Sequence, residues 1–100
     1  MVYIPEGMST IGVGCFCNCI NMKIVHIPHN VCEIKREAFK QCKSLHSVTL
    51  PHQLQNISDF CFSQCKMLKY IIIPPSVTLI GGCTFGGCTI LKKLISPISL

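Results

Sequence analysis

Apolar residues recur along this chain on a 23-residue beat, and Pro5, Pro28, Pro51, Pro74 and Pro97 mark its phase. Counting from each proline, the third position holds Met8, Val31, Leu54, Val77 and Leu100, and the sixth holds Ile11, Ile34, Ile57 and Ile80. The eleventh is Phe16, Phe39, Phe62 and Phe85, the fourteenth Cys19, Cys42, Cys65 and Cys88, and the seventeenth Met22, Leu45, Leu68 and Leu91. The twentieth is Val25, Val48, Ile71 and Leu94, and the twenty-second Ile27, Leu50, Ile73 and Ser96. A unit this short cannot bury an apolar face by itself, so the units must stack on one another.

Within each unit, the stretch before the next proline alternates apolar and polar, as in Leu45-His46-Ser47-Val48-Thr49-Leu50. That period of two predicts a short strand with one face inward. The proline, lacking an N–H, ends the hydrogen-bond ladder. From Ile34 to Cys42 the inward residues come at uneven steps, which predicts a short helical or 3₁₀ turn across the back. Because Ser96 stands where the earlier units have an aliphatic, the last strand is expected to be irregular.

Val31-Cys32-Glu33-Ile34, Ala38-Phe39, Cys42, Leu45, Val48 and Leu50-Pro51 follow the pattern V-x-x-I-G-x-x-A-F-x-x-C-x-x-L-x-x-V-x-I-P. The chain thereby resembles the BspA-like, or Treponema-type, leucine-rich repeat family over essentially its whole length. It departs at Lys35 and Ser58, where Gly12 and Gly81 keep the family glycine, and at Cys15, Cys61 and Thr84 in the alanine column. The resemblance implies an α/β leucine-rich repeat solenoid of about four repeats. A parallel β-sheet would form one face and short helical or 3₁₀ turns the other. The division is one domain over 1–100: partial repeat 1–4, repeats 5–27, 28–50, 51–73 and 74–96, and partial repeat 97–100. It also implies protein recognition or cell adhesion, as in bacteria and parasitic protists, and hence display at the cell surface. A segment of a longer array is expected, or a chain that self-associates through its uncapped sheet edges.

Composition narrows the chemistry. With 49% hydrophobic and 13% charged residues the chain is too apolar for disorder, yet no apolar run reaches the roughly 18 residues of a membrane span. The opening Met1-Val2-Tyr3-Ile4-Pro5 lacks the basic and apolar regions of a secretory signal. Taken alone, that and the many thiols suit a reducing cytosol. Nine cysteines are an odd number for a disulfide framework, and Cys19, Cys42, Cys65 and Cys88 read as inward thiols packing as small hydrophobes. Cys17, Cys32 and Cys83 fall outside the columns on separate repeats, so zinc ligation is not expected. Cys17 is the thiol expected to react if it is exposed. Gly12-Val13-Gly14, Gly81-Gly82 and Gly86-Gly87 lack the Lys-Ser or Lys-Thr of a phosphate loop. The acids are only Glu6, Glu33, Glu37 and Asp59, and no catalytic set is evident, so no enzyme, cofactor or small-molecule substrate is expected.

Function then falls to the outward columns. The eighteenth position reads Lys23, His46, Lys69, Lys92, the nineteenth Ile24, Ser47, Tyr70, Lys93, and the twenty-first His26, Thr49, Ile72, Ile95. Together these make an amphipathic sheet face suited to a protein partner, with Tyr70 and the isoleucines as anchors and the basic column as steering. His29 and His52 sit at its rim. Exposed lysines on strands also serve solubility and edge protection. The net charge of +5 includes a single arginine, Arg36, which argues against nucleic acid. Two further readings stay open: a structural repeat segment of an adhesive surface protein, and a metal- or redox-sensing thiol protein.

Overall fold

The computed structural model describes the backbone of residues 4–95 and the side chains of residues 4–92. Each repeat contributes two short strands. The predicted wall is β2 (Ile24–His26), β4 (Ser47–Thr49), β6 (Tyr70–Ile73) and β8 (Lys92–Ile95), all parallel, in the order β2-β4-β6-β8. Its register follows the 23-residue beat, with Val25 opposite Val48 and Val48 opposite Ile71. Alternation decides the facing: Val25, Val48 and Ile71 are buried, while His26, Thr49 and Ile72 are exposed. The Ile27 amide donates to the Thr49 carbonyl at 3.1 Å, and Pro28 then ends the strand because it has no N–H to offer.

A second parallel sheet runs alongside, in the order β1-β3-β5-β7: Thr10–Ile11, Glu33–Ile34, Asn56–Ile57 and Leu79–Ile80. It takes Ile34, the first residue of the expected helical turn, into a strand. The rest of that turn is not helical either: among the described residues there is no α- or 3₁₀-helix. Two left-handed columns account for this correction. One holds Gly14, Glu37, Phe60 and Cys83, with φ of 63°, 61°, 58° and 53°; the other holds Asn18, Gln41, Gln64 and Gly87, at 62°, 60°, 63° and 78°. A residue with positive φ cannot continue a right-handed helix, whereas it suits the third position of a type II turn. The turns close accordingly, with Ala38 donating to Lys35 O at 3.2 Å and Cys42 to Phe39 O at 3.4 Å. Alternate amides point along the stack instead. Glu37, Phe39 and Gln41 donate to the carbonyls of Asp59, Cys61 and Ser63 in the next coil, at 3.0, 2.8 and 2.7 Å. The back is therefore hydrogen-bonded between coils, like the two sheets.

The predicted columns fill the interior between these walls. Phe39 and Phe62 are fully buried and stack 5.2 Å apart with 3° between their planes, and Phe16 and Phe85 continue the stack at 5.3 and 5.9 Å. The cysteine column has a reason beyond size. Cys42, Cys65 and Cys88 each donate S–H to the carbonyl of a phenylalanine in the preceding coil, namely Phe16, Phe39 and Phe62, at 3.1, 3.1 and 3.0 Å. That carbonyl already accepts one backbone amide, so the thiol occupies its second lone pair with a small, weakly polar donor.

The last coil departs from the beat. The column holding Ile11, Ile34 and Ile57 at 0% exposure reaches 45% at Ile80. In β8 the register slips by one residue: Lys92 faces Tyr70, Lys93 faces Ile71, and Ile95 faces Ile73. The slip sets Ile95 at the place the 23-residue count gives to Ser96, so the aliphatic pairing of that column continues. The irregularity expected from Ser96 thus takes the form of a shifted ladder. Ser96, Pro97 and Leu100, with the partial repeats 1–4 (but for Ile4) and 97–100, lie outside the described residues.

Candidate binding face

Residues that the alternation turns outward on β2, β4, β6 and β8 build a continuous surface. Lys23, His46, Lys69 and Lys92 are exposed just before or at the start of each strand. Ile24 and Ser47 are half-buried, while Tyr70 and Ile72 are exposed by 46% and 55%, with His26 and Thr49 beside them. The Lys69 ammonium lies 5.6 Å from the centroid of the Tyr70 ring, which holds a charge and an aromatic together. The slipped register corrects the expected columns at one end. Lys92 stands opposite Tyr70 rather than Lys69, although its amide still donates to the Lys69 carbonyl at 2.8 Å. Lys93 and Ile95 stand opposite the buried Ile71 and Ile73 rather than beside Tyr70 and Ile72. Their side chains lie outside the described residues.

A groove missed by the outward columns opens at the strand ends. It has a volume of about 320 Å³ and is lined by Val48, Thr49, Leu50, His52, Ile72 and Pro74. The proline that stops each strand turns the chain away and leaves one wall, and His52 follows as rim. Its signal in the sequence was the residue after each proline, which placed His29 and His52 at the rim; both are exposed.

Three of the four acids lie elsewhere, and Glu6 shares the rim column of His29 and His52. Glu33 sits in β3, Glu37 pairs with Lys40 at 3.2 Å on the back, and Asp59 accepts from the Gly82 amide at 2.8 Å. Glu6 is in the corner after Pro5. A shallower depression of about 460 Å³ on that side is lined by Glu33, Lys35, Arg36, Asp59, Val13 and Leu79. Its charges are of both signs and neutralise one another.

The thiols offer no competing centre. All nine are free, and among the described residues no group of three or more His, Cys, Asp or Glu side chains could hold a metal ion. Burial pushes the Cys61 thiol up to about 12 and raises Cys19 and Cys88 as well. The neighbouring Cys42 thiol and burial both raise Cys65. Cys17 is half-buried, so the exposed thiols are Cys15 and Cys83 instead. Cys15 occupies the column in which Ala38, Cys61 and Thr84 are buried, where the Thr84 hydroxyl donates to the Ser58 carbonyl of the preceding coil.

The model of a BspA type leucine rich repeat region, comprising six copies, matches residues 1–100. This chain belongs to the BspA-type leucine-rich repeat family. Two solved structures share its fold. A leucine-rich repeat protein from Bacteroides ovatus is 28% identical with a TM-score of 0.68, over 88% of this chain and 29% of that one. The T. pallidum leucine rich repeat protein is 20% identical with a TM-score of 0.62, over 93% of this chain and 66% of that one. This chain thus spans under a third of the first and just under two thirds of the second. None of the curated protein sequences matches it. Leucine-rich repeats of this family are generally protein-interaction modules and are typically non-enzymatic.

Proposed function

We propose that this protein is a non-enzymatic interaction module that holds a protein partner on the face of β2, β4, β6 and β8. The observation carrying the proposal is the composition of that face: Tyr70 and Ile72 exposed on a hydrogen-bonded wall, beside Lys23, His46, Lys69 and Lys92, with no acid among them. Tyr anchors are what interface centres use, cations around them steer the encounter, and a wall fixed before contact loses little entropy on binding. Solenoids commonly recognise partners through such continuous surfaces.

The test compares faces. Capture of a partner by the wild type, identified by mass spectrometry, is expected to be lost with Tyr70→Ala/Ile72→Ala and kept with Val13→Ala/Met67→Ala on other surfaces. Equal loss, or no loss, in both variants rejects the assignment. A second reading, a structural segment of an adhesive surface array, draws on the exposed Leu79 and Ile80 at the end of the stack. It predicts adhesion that is indifferent to Tyr70 and Ile72 and sensitive to repeat number.

A further inference from the structure

We infer that the partner surface is an extended acidic segment of a protein, carrying an aliphatic side chain two residues from a carboxylate. The inference rests on the face proposed above and adds the chemistry of what sits there. Three observations support it. The face is charge-segregated: Lys23, Lys69 and Lys92, with His26 and His46, lie on it, Glu33, Glu37 and Asp59 lie off it, and Glu6 comes no nearer than the rim column of His29 and His52. A carboxylate-bearing partner is therefore attracted over most of the face, while a basic one is repelled there.

Second, the apolar groove sits at the other end of the same strands. His46 and Thr49 are three residues apart, roughly 10 Å along a strand at about 3.3 Å per residue. In an extended segment lying along the strand, side chains two residues apart face the same side and span about 7 Å, and the reach of a lysine side chain covers the rest. A carboxylate at the lysine column then places an aliphatic side chain over Leu50, Ile72 and Pro74. Third, Lys69 is held 5.6 Å from the Tyr70 ring, so part of its side-chain ordering precedes binding. A nucleic acid fits less well. The only arginine, Arg36, lines the depression on the other side, and among the described residues Tyr70 is the lone aromatic on the face, which gives no run of stacking platforms there.

The experiment uses the full ¹⁵N-labelled chain and four probes: an eight-residue Asp/Glu peptide with one central Leu, its Leu→Ser form, the same peptide with Lys for every acid, and an eight-nucleotide single-stranded RNA. The acidic Leu peptide is expected to saturate by about 1 mM and to shift the amides of Thr49, Tyr70 and Ile72. The Leu→Ser form is expected to bind at least about tenfold more weakly. Lys23→Glu/Lys69→Glu is expected to lose the acidic peptide and to gain the lysine one, a rescue that unfolding cannot produce. Equal binding of the Leu and Ser peptides, or RNA binding in place of peptide binding, overturns the inference. So does absence of binding by the acidic peptide. If the acidic peptide fails while a captured partner still depends on Tyr70 and Ile72, only the partner chemistry is wrong. If that dependence is also missing, the face itself is wrong.

Discussion

Repeats 28–50 and 74–95 carry the same columns but bury them differently. In the first, Ile34, Phe39, Cys42 and Leu45 are wholly buried between two neighbouring coils. In the second, Phe85, Cys88 and Leu91 are only partly buried, and Ile80 is 45% exposed. The residues are equivalent and the local backbone is alike, down to a left-handed residue at Gln41 and at Gly87. The difference comes from the neighbours. Among the described residues the later repeat has a complete coil on one side only, so stability here resides in the interfaces between coils more than within any coil. The binding face inherits this: β4 and β6 are held on both sides, and Tyr70, Ile72 and the groove lie on them.

The largest test of that contrast is one substitution at two places. Phe62→Ala, in the middle of the ring stack, is expected to cost about 3–5 kcal/mol. Phe85→Ala is expected to cost about 1–2 kcal/mol, because less of that ring leaves water on folding. Urea unfolding of both variants measures the gap, and equal losses would remove the distinction between the two repeats.

The glycines divide in the same way. A Cβ at Gly81 would meet the backbone nitrogen of Asp59 at 2.5 Å and the Ser58 carbonyl carbon at 2.7 Å, whereas one at Gly12 would meet nothing within 4 Å. Gly81→Ala is expected to cost about 1–3 kcal/mol through forced separation of the coils, and Gly12→Ala under about 0.5 kcal/mol. Thermal melts distinguish them.

Alkali probes burial through the thiols. Burial raises Cys61 to about 12 from an ordinary value of 9.0, so the folded chain keeps a proton that the unfolded chain releases. That stability is fully present below about pH 8.5–9, and is lost as pH rises toward 12, at up to about 1.4 kcal/mol per pH unit. Cys61→Ala, which places the residue of Ala38 in the same column, is expected to flatten the decline. An unchanged slope would show that Cys61 is not shielded. A small effect of opposite sign belongs to the back: Gln41→Gly relieves a φ of 60° and is expected to stabilise by about 0.5–1 kcal/mol.

The parallel wall and the facing of its side chains were legible because period-two alternation and a proline stop are local and strong. The second sheet was not, since two residues such as Glu33–Ile34 are too few to show a period. The back reads as helical in the sequence for a related reason. Its left-handed columns contain Gly14, Asn18 and Gly87, which suit positive φ, but also Glu37, Phe60 and Gln64, which do not. Inter-coil hydrogen bonds hold those residues where local preference would not. At the site, the outward columns followed from alternation up to β6. The groove depends on how Pro74 and His52 meet across adjacent coils, and the slip of β8 on which residue pairs with Tyr70. Neither is a property of a single repeat.

Through-hydrogen-bond scalar coupling, read by NMR, tests most directly whether the coils are joined along the back as well as at the sheets. Coupling is predicted from the Phe39 amide to the Cys61 carbonyl and from the Phe62 amide to the Thr84 carbonyl, across bonds of 2.8 and 2.9 Å. Coupling from those amides to Lys35 and Ser58, four residues earlier in the chain, would show helical backs and contradict the stack described above.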